Sequence, residues 1–216
     1  MKLVIGNKNY SSWSLRPWLL RSAFKINFTE IQESLTEAGI KERFEQYSPS
    51  GKVPVLIDED LTIWDSLAIC EYISEKYLDG KGWPEDLNSR AEARAVCAEM
   101  HSSFSALRNE LPMNCRASRK LELSSAAKAD IAQIDSIWSH YTAKNSSIGP
   151  WLFGQFSIAD CFFAPVAFRF STYVISLSEP AQSYSSRLLK HESVVVWEKA
   201  ARDEVEIIPR DEAGTE

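Results

Sequence analysis

The strongest constraint on the fold is a change of sequence pattern near residues 78–88. Before this segment, short apolar runs alternate with short amphipathic stretches, and after it the spacing of apolar residues is that of long helices. The segment itself holds two glycines, one proline and several turn-forming residues, which is typical of a linker. We therefore predict two domains, residues 1–78 and 89–216, joined by a linker at 79–88.

The first domain is predicted to have the order β-α-β-α-β-β-α. The apolar patterns of strands occur at 3–6, 28–35, 54–58 and 61–64. Helical spacing occurs at 14–25, 41–47 and 66–77. The last two strands flank a turn and form a plausible hairpin, and Asp65 or Ser66 is suited to cap the helix that follows. A short mixed sheet with helices on both faces fits this order.

The second domain is predicted to be entirely helical. Helical patterns occur at 89–110, 124–143, 158–168 and 193–203. Ser157 stands three residues before Asp160, which is the spacing of a capping box at the start of the third of these helices. We interpret this pair as structural, and we expect the final residues 211–216 to fray.

Composition excludes several classes of function. A net charge of −6 gives no electrostatic reason to expect nucleic acid or an anionic membrane as a partner. The richest apolar run, residues 161–168, is far shorter than a membrane span, and the start of the chain is too polar for a signal peptide. The four cysteines form no CxxC pair and the three histidines have no ligand spacing. We therefore expect no metal site, reduced cysteines and a cytoplasmic location.

Four motifs connect the chain to a known family. They are YSSWSLRPWL (10–19), SGKVPVL (50–56), WDSLAICEYI (64–73) and FSIADCFFAPV (156–166). In this order they resemble the glutathione S-transferase superfamily over nearly the whole chain. The resemblance implies an α/β thioredoxin-like N-terminal domain followed by an all-α C-terminal helical domain. It also implies glutathione as cosubstrate, and a homodimer with the helix at 89–110 as contact surface.

The first motif carries the candidate catalytic residues Ser11 and Ser12. A hydroxyl that donates a hydrogen bond to a thiol, near the positive end of a helix, favours the thiolate. On spacing alone, both serines are equally suited to be turn and cap residues. The motif is most similar to the zeta class, although Trp13 stands where that class has a cysteine. The resemblance assigns the catalytic role to Ser11, with Ser12 as the alternative.

The second and third motifs carry the candidate glutathione-binding residues Lys52, Val53, Pro54, Asp65 and Ser66. The resemblance implies a cis Val53–Pro54 bond and a backbone pairing of Val53 with the cysteinyl part of glutathione. Lys52 is either a ligand of a glutathione carboxylate or a solvated loop lysine. Asp65 and Ser66, at a helix N-terminus, suit the ammonium and carboxylate of the γ-glutamyl group.

The function predicted from these motifs is that of a glutathione transferase involved in detoxification. It would activate the glutathione thiolate for attack on a small apolar electrophile, held in a pocket lined by Trp13, Phe104 and Met113, although core packing is the alternative for these side chains. The other hypotheses are a glutathione-dependent isomerase of maleylacetoacetate-like compounds, a peroxidase, or a non-catalytic binding module with the same fold. We expect His101 to be a surface or packed residue without a catalytic role.

Overall fold

A single four-stranded sheet organises the first part of the chain. The computed structural model describes residues 1–36 and 39–215. The strands are β1 (Lys2–Ile5), β2 (Thr29–Gln32), β3 (Val55–Asp58) and β4 (Leu61–Trp64). Their order in the sheet is β2-β1-β3-β4, with β2 parallel to β1 and the β3–β4 hairpin antiparallel to it. This confirms the predicted mixed sheet. Each strand begins and ends within a few residues of its predicted bounds.

Helices flank the sheet and make up the rest of the fold. Those of the first part are α1 (Ser12–Ala23), α2 (Ile40–Glu45) and α3 (Ser66–Leu78). Those that follow are α4 (Leu87–Ser102), α5 (Ser105–Glu110), α6 (Ser125–Lys144), α7 (Ile158–Thr172), α8 (Glu179–Leu189) and α9 (Glu192–Asp203). The chain thus consists of a thioredoxin-like N-terminal domain and a helical C-terminal domain, as predicted.

Helix α1 is the element that joins the two halves. It packs against β1 and α3 on one side and against α7 and α9 on the other. Trp18 of α1 meets Trp197 of α9 with ring centroids 5.1 Å apart, and both rings are buried. The apolar core is therefore continuous from the sheet into the helical domain, and α1 is held from both sides.

The prediction of one helix at 89–110 is wrong. The segment forms α4 and α5, which are separated at Phe104, where φ is 61°. This left-handed conformation cannot continue a right-handed helix. The aromatic side chain is only 5% exposed, so its burial offsets the cost of the unusual backbone. Helix α8 was not predicted, because its sequence is rich in serine and only Ala181, Tyr184 and Leu188 mark an apolar stripe.

The expectation of a frayed C-terminus is also wrong for the described residues. Beyond α9 the chain crosses the N-terminal domain, where the Glu204 carboxylate accepts hydrogen bonds from the backbone N–H of Lys8 (2.6 Å) and Asn9 (3.0 Å). Glu212 accepts from the hydroxyl of Tyr10 at 2.5 Å, and Thr215 pairs with the backbone of residue 120. We call residues 204–215 the C-terminal strap. It fixes the loop between β1 and α1 in place.

Residues 1–36 and 39–215 contain neither a candidate membrane span nor a metal-binding cluster. No helix among them is long and apolar enough to cross a membrane. No group of three or more His, Cys, Asp and Glu side chains among them is arranged to hold a metal ion. The four cysteines are buried and unbridged, so each is a small apolar residue of the core.

The buried carboxylate of Asp160 generates a stability prediction. It accepts hydrogen bonds from the backbone N–H of Leu152 (3.3 Å) and Ser157 (2.9 Å) and from the Tyr184 hydroxyl (3.0 Å). In Asp160→Asn an amide N–H₂ would face one of these donors. We expect the free energy of unfolding, measured with urea, to fall by about 2–3 kcal/mol. Tyr184→Phe removes one hydrogen bond and should cost about 1 kcal/mol. An equal loss in both variants would contradict this account.

Candidate functional site

Two adjoining cavities lie at the ends of the strands. The first, which we call the α3 cavity, has a volume of about 680 Å³. It is lined by Trp13, Ser50, Lys52, Val53, Pro54, Trp64, Asp65 and Ser66. The second, the α1 cavity, has a volume of about 440 Å³ and lies at the start of α1, beside the helical domain. The two cavities share Trp13, Lys52 and Val53, so a ligand in one can extend into the other.

Asp65 is the N-cap residue of α3 and lines the α3 cavity. Its Oδ1 accepts from the backbone N–H of Leu67 at 2.8 Å and Ala68 at 3.3 Å. Its φ is 81°, a value that few residues other than glycine adopt and that Asp and Asn tolerate better than most. The side chain is 41% exposed. A carboxylate is therefore presented to the cavity at a helix terminus, beside the hydroxyl of Ser66.

His101 completes this arrangement from the helical domain. Its Nε2 lies 3.1 Å from Oδ2 of Asp65, and its ring meets the edge of Trp13 with centroids 5.1 Å apart. Burial lowers the pKa of His101, against the opposing effect of Asp65. Sequence reasoning assigned His101 to the surface or core, because no local pattern reveals that α4 places it on the cap of α3.

A buried arginine lies beneath the same helix terminus. Arg16 donates from Nη1 to Oγ of Ser66 at 3.2 Å, and its guanidinium stacks between the rings of Trp13 (4.2 Å) and Phe162 (4.4 Å). Burial lowers the pKa of Arg16 to about 9, so the group is still mainly protonated at neutral pH. The positive charge and the N-terminus of α3 together make this corner attractive to an anion.

Val53 and Pro54 form the wall that both cavities adjoin. The peptide bond between them is cis, as the resemblance implied. Val53 is half-buried and lines both cavities, while Pro54 is buried. Lys52 is exposed and lines both cavities as well. The structure thus brings together all five predicted glutathione-binding residues.

The two candidate serines lie at the start of α1, and both line the α1 cavity. Ser11 is 6% exposed and donates its hydroxyl proton to Oγ of Ser14 at 2.7 Å. Ser12 is the first residue of α1 and is less buried. Its Oγ accepts a hydrogen bond from Nη2 of Arg169 at 3.4 Å. The two hydroxyl groups therefore differ in their partners: that of Ser11 donates its proton to Ser14, and that of Ser12 accepts from Arg169.

The α1 cavity is more basic than the sequence suggested. Among the described residues, its charged lining consists of Lys41, Lys52, Arg108, Arg169, Arg210 and one acid, Asp211. Apolar side chains, among them Leu35, Phe44 and Met113, complete the lining. Trp13 also lines this cavity, with the Arg108 guanidinium 4.8 Å from its ring centroid. Phe104, predicted beside Trp13 and Met113, is instead a buried core residue that lines neither cavity.

Comparison with known proteins identifies the type of domain that carries these cavities. Residues 10–76 match the family described as glutathione S-transferase, N-terminal domain. The match covers less than half of the chain. The structure also superposes on a glutathione transferase homologue from Burkholderia GL BGR1 with bound glutathione, at a TM-score of 0.72 and 23% identity, over 94% of this chain and 98% of that one. The whole chain therefore has the glutathione transferase fold.

Other relatives of this fold differ in what they do. The chain is similar to the holo structure of maleyl pyruvate isomerase, a bacterial zeta-class glutathione S-transferase, with a TM-score of 0.73 and 19% identity over 94% of this chain and 99% of that one. It is 46% identical to the dichloromethane dehalogenase of Methylophilus leisingeri over 55 residues, which are 25% of this chain and 21% of the dehalogenase. The chain thus spans about a fifth of the length of that curated relative.

The geometry of Asp65 generates a prediction about stability. Asp65→Ala removes the cap of α3 and places a less tolerant residue at φ 81°, so the free energy of unfolding should fall by about 1–3 kcal/mol. Asp65→Asn keeps both a capping oxygen and tolerance of positive φ, and should lose less than about 0.5 kcal/mol. Urea denaturation of the two variants checks this. Equal destabilisation would show that the charge, and not the cap, is what stabilises the helix.

Proposed function

We propose that this chain is an enzyme that binds glutathione in the α3 cavity and activates its thiol at the start of α1. The observation that carries the proposal is the meeting of Asp65, Ser66 and Arg16 at the N-terminus of α3, next to the wall formed by Val53. The matched family and the glutathione-bound structure of similar fold support the choice of ligand.

The γ-glutamyl end of glutathione fits the charges at α3. Its ammonium would pair with Oδ2 of Asp65, which also faces Nε2 of His101 at 3.1 Å, since Oδ1 is engaged by two backbone N–H groups. Its carboxylate would lie against Ser66 and the N-terminus of α3, where the buried charge of Arg16 adds to the helix dipole. His101 contacts the same oxygen of the Asp65 carboxylate from the helical domain. The ammonium and the carboxylate of the γ-glutamyl group would thus each have a partner at the N-terminus of α3.

The remainder of glutathione would follow the wall between the cavities. We assign the backbone of Val53 to the cysteinyl residue, because Val53 lies two residues before β3 and lines both cavities. Lys52, exposed at the same rim, is suited to a carboxylate of the peptide. This path leads the sulfur from the α3 cavity towards the serines at the start of α1.

The chemistry proposed for the α1 cavity is the transfer of glutathione to an electrophile. A thiol of pKa near 8.5 is mostly protonated at neutral pH, and lowering that pKa by about two units needs roughly 2.7 kcal/mol of preferential stabilisation of the anion. A hydroxyl donor, the N-terminus of α1 and the basic lining of the cavity all act in that direction. The thiolate would then attack a second substrate held at close range.

A second candidate function is a glutathione-dependent isomerase of an acidic substrate. The specific observation in its favour is that, among the residues that the structure describes, five of the six charged side chains lining the α1 cavity are basic. Such a lining suits a carboxylate-bearing compound better than a neutral one. The similarity in fold to a maleyl pyruvate isomerase is consistent with this alternative. The apolar side chains of the same cavity are consistent with the transferase.

The binding proposal is tested with Asp65→Asn, which keeps the cap and removes the charge. We expect its affinity for glutathione, measured by titration calorimetry, to fall by about 1.5–3 kcal/mol, because a hydrogen bond to a charged group is lost. Asp60→Asn is the matched control, since Asp60 is an exposed aspartate in the turn between β3 and β4. It should bind as the unaltered protein does. Absence of glutathione binding by the unaltered protein at millimolar ligand would overturn the proposed function.

The choice of second substrate is tested with Lys41→Glu. Lys41 is exposed at the rim of the α1 cavity, and reversing its charge should lower kcat/KM for a maleyl compound about fivefold, while a halogenated aromatic is affected less. Lys25→Glu, at the opposite end of α1, makes the same change in net charge and should leave both rates unaltered. Equal effects of the two variants would contradict a role for the basic lining.

A further inference from the structure

The hydroxyl groups of Ser11 and Ser12 differ in where their protons can point. A serine hydroxyl has one proton to donate and two lone pairs that accept. Only a hydroxyl whose proton is free can donate to a thiolate in the α1 cavity. The partners of each oxygen therefore decide which serine is suited to the sulfur.

The proton of Ser11 is already used inside the protein. Ser11 donates to Oγ of Ser14 at 2.7 Å, and the same oxygen of Ser14 accepts from the backbone N–H of Gly6 at 3.2 Å. All three groups are buried. These bonds tie the end of β1 to the first turn of α1. Turning the Ser11 hydroxyl towards a ligand would break the link and leave a buried oxygen with one partner fewer.

The oxygen of Ser12 has the opposite role, because its partner can only donate. A guanidinium has five N–H donors and no acceptor, so in the 3.4 Å contact with Nη2 of Arg169 the serine oxygen must accept. The Ser12 proton is therefore directed away from Arg169. Ser12 is also the more exposed of the two serines and lines the cavity.

Arg169 is well placed to impose this direction. It projects from α7, is 7% exposed, and donates from Nη1 to the carbonyl oxygens of Arg108 (3.3 Å) and Leu111. These bonds fix the plane of the guanidinium at the end of α5. Burial lowers the pKa of Arg169 to about 10, so it keeps its positive charge at neutral pH. That charge lies beside the oxygen of Ser12.

We propose that Ser12, and not Ser11, donates the hydrogen bond to the glutathione thiolate, and that Arg169 is the positioning residue that orients it. The inference rests on the proposed function, and it departs from the assignment of Ser11 by the resemblance. The thiol S–H bond breaks with release of its proton to water. Ser12 keeps its own proton and donates a hydrogen bond to the resulting anion, while Arg169 lowers the energy of that anion through its charge.

The test is the pKa of bound glutathione, followed by the ultraviolet absorbance of the thiolate against pH. Ser12→Ala should raise this pKa by about one unit, and Ser12→Thr, which keeps the hydroxyl, should restore it. Ser11→Ala should leave it unchanged. A shift in Ser11→Ala with none in Ser12→Ala would overturn the proposal, and so would a shift in neither variant.

Arg169 is tested by combining substitutions. Arg169→Met should raise the pKa of the bound thiol, and the rise should be smaller in a Ser12→Ala background, because Arg169 acts in part through the serine. Additive shifts would overturn the positioning role. Should Arg169→Met fail to fold, Arg169→Lys gives the same comparison. Lysine keeps the positive charge but lacks the Nη2 donor that contacts Ser12.

S-methylglutathione separates this proposal from the proposed function. It lacks the thiol proton, so the Ser12 and Arg169 variants should bind it, in calorimetry, within about twofold of the unaltered protein. If the unaltered protein binds neither glutathione nor its S-methyl form, the proposed function fails and this inference fails with it. If both bind and the thiol pKa is the same in Ser12→Ala, only the inference fails.

Discussion

The packing of α1 between the two halves of the molecule is the interaction on which the site depends. This helix contacts β1, α3, α7 and α9, and its residues from Ser14 to Arg21 are buried. Its N-terminus carries both candidate serines, and its first turns supply Trp13 to the cavities and Arg16 to the cap of α3. A displacement of α1 would therefore alter the α1 cavity, the α3 cavity and the contact between the domains together. The shape of both cavities thus depends on the same core that stabilises the fold.

A second feature is the set of buried cations near the cavities. Arg16 and Arg169 are buried, Arg108 is partly so, and burial is the main cause that lowers the pKa of each. Their hydrogen bonds to the described residues go to carbonyl and hydroxyl oxygens rather than to carboxylates. Removing a charge from water without a counter-ion is costly. In a chain whose net charge is −6, the positive potential is concentrated where an anionic ligand would supply the missing charge.

Much of the fold could be predicted because local rules and tertiary packing agree. The hairpin of β3 and β4, the Asp65 cap and the capping box at Ser157 all rest on short-range chemistry, and the structure has each of them. The break at Phe104 could not be predicted, since only the burial of its ring in the core justifies a left-handed residue there. At Phe104, tertiary packing therefore outweighs the helical pattern of the surrounding sequence and ends the helix.

In the candidate site, too, the residues that local motifs group could be predicted, and those that only long-range contacts bring together could not. Lys52, Val53, Asp65 and Ser66 follow one another within short motifs, so sequence could group them, and the structure places them around one cavity. His101 and the arginines come from α4, α5 and α7, and nothing in their own neighbourhoods relates them to the loop before α1. Their roles arise from contacts between residues far apart in sequence. Which serine has a free proton depends on one of these contacts.

The C-terminal strap has a consequence for how the protein is made. The loop that follows β1 is synthesised well before the strap, yet the backbone N–H groups of Lys8 and Asn9 have their carboxylate partner in Glu204. On the ribosome the sheet and the first helices emerge long before that residue does. The nascent domain can therefore collapse early while the serine loop still lacks its final restraint. The final geometry of this loop is therefore reached only after the strap has left the ribosome and docked on it.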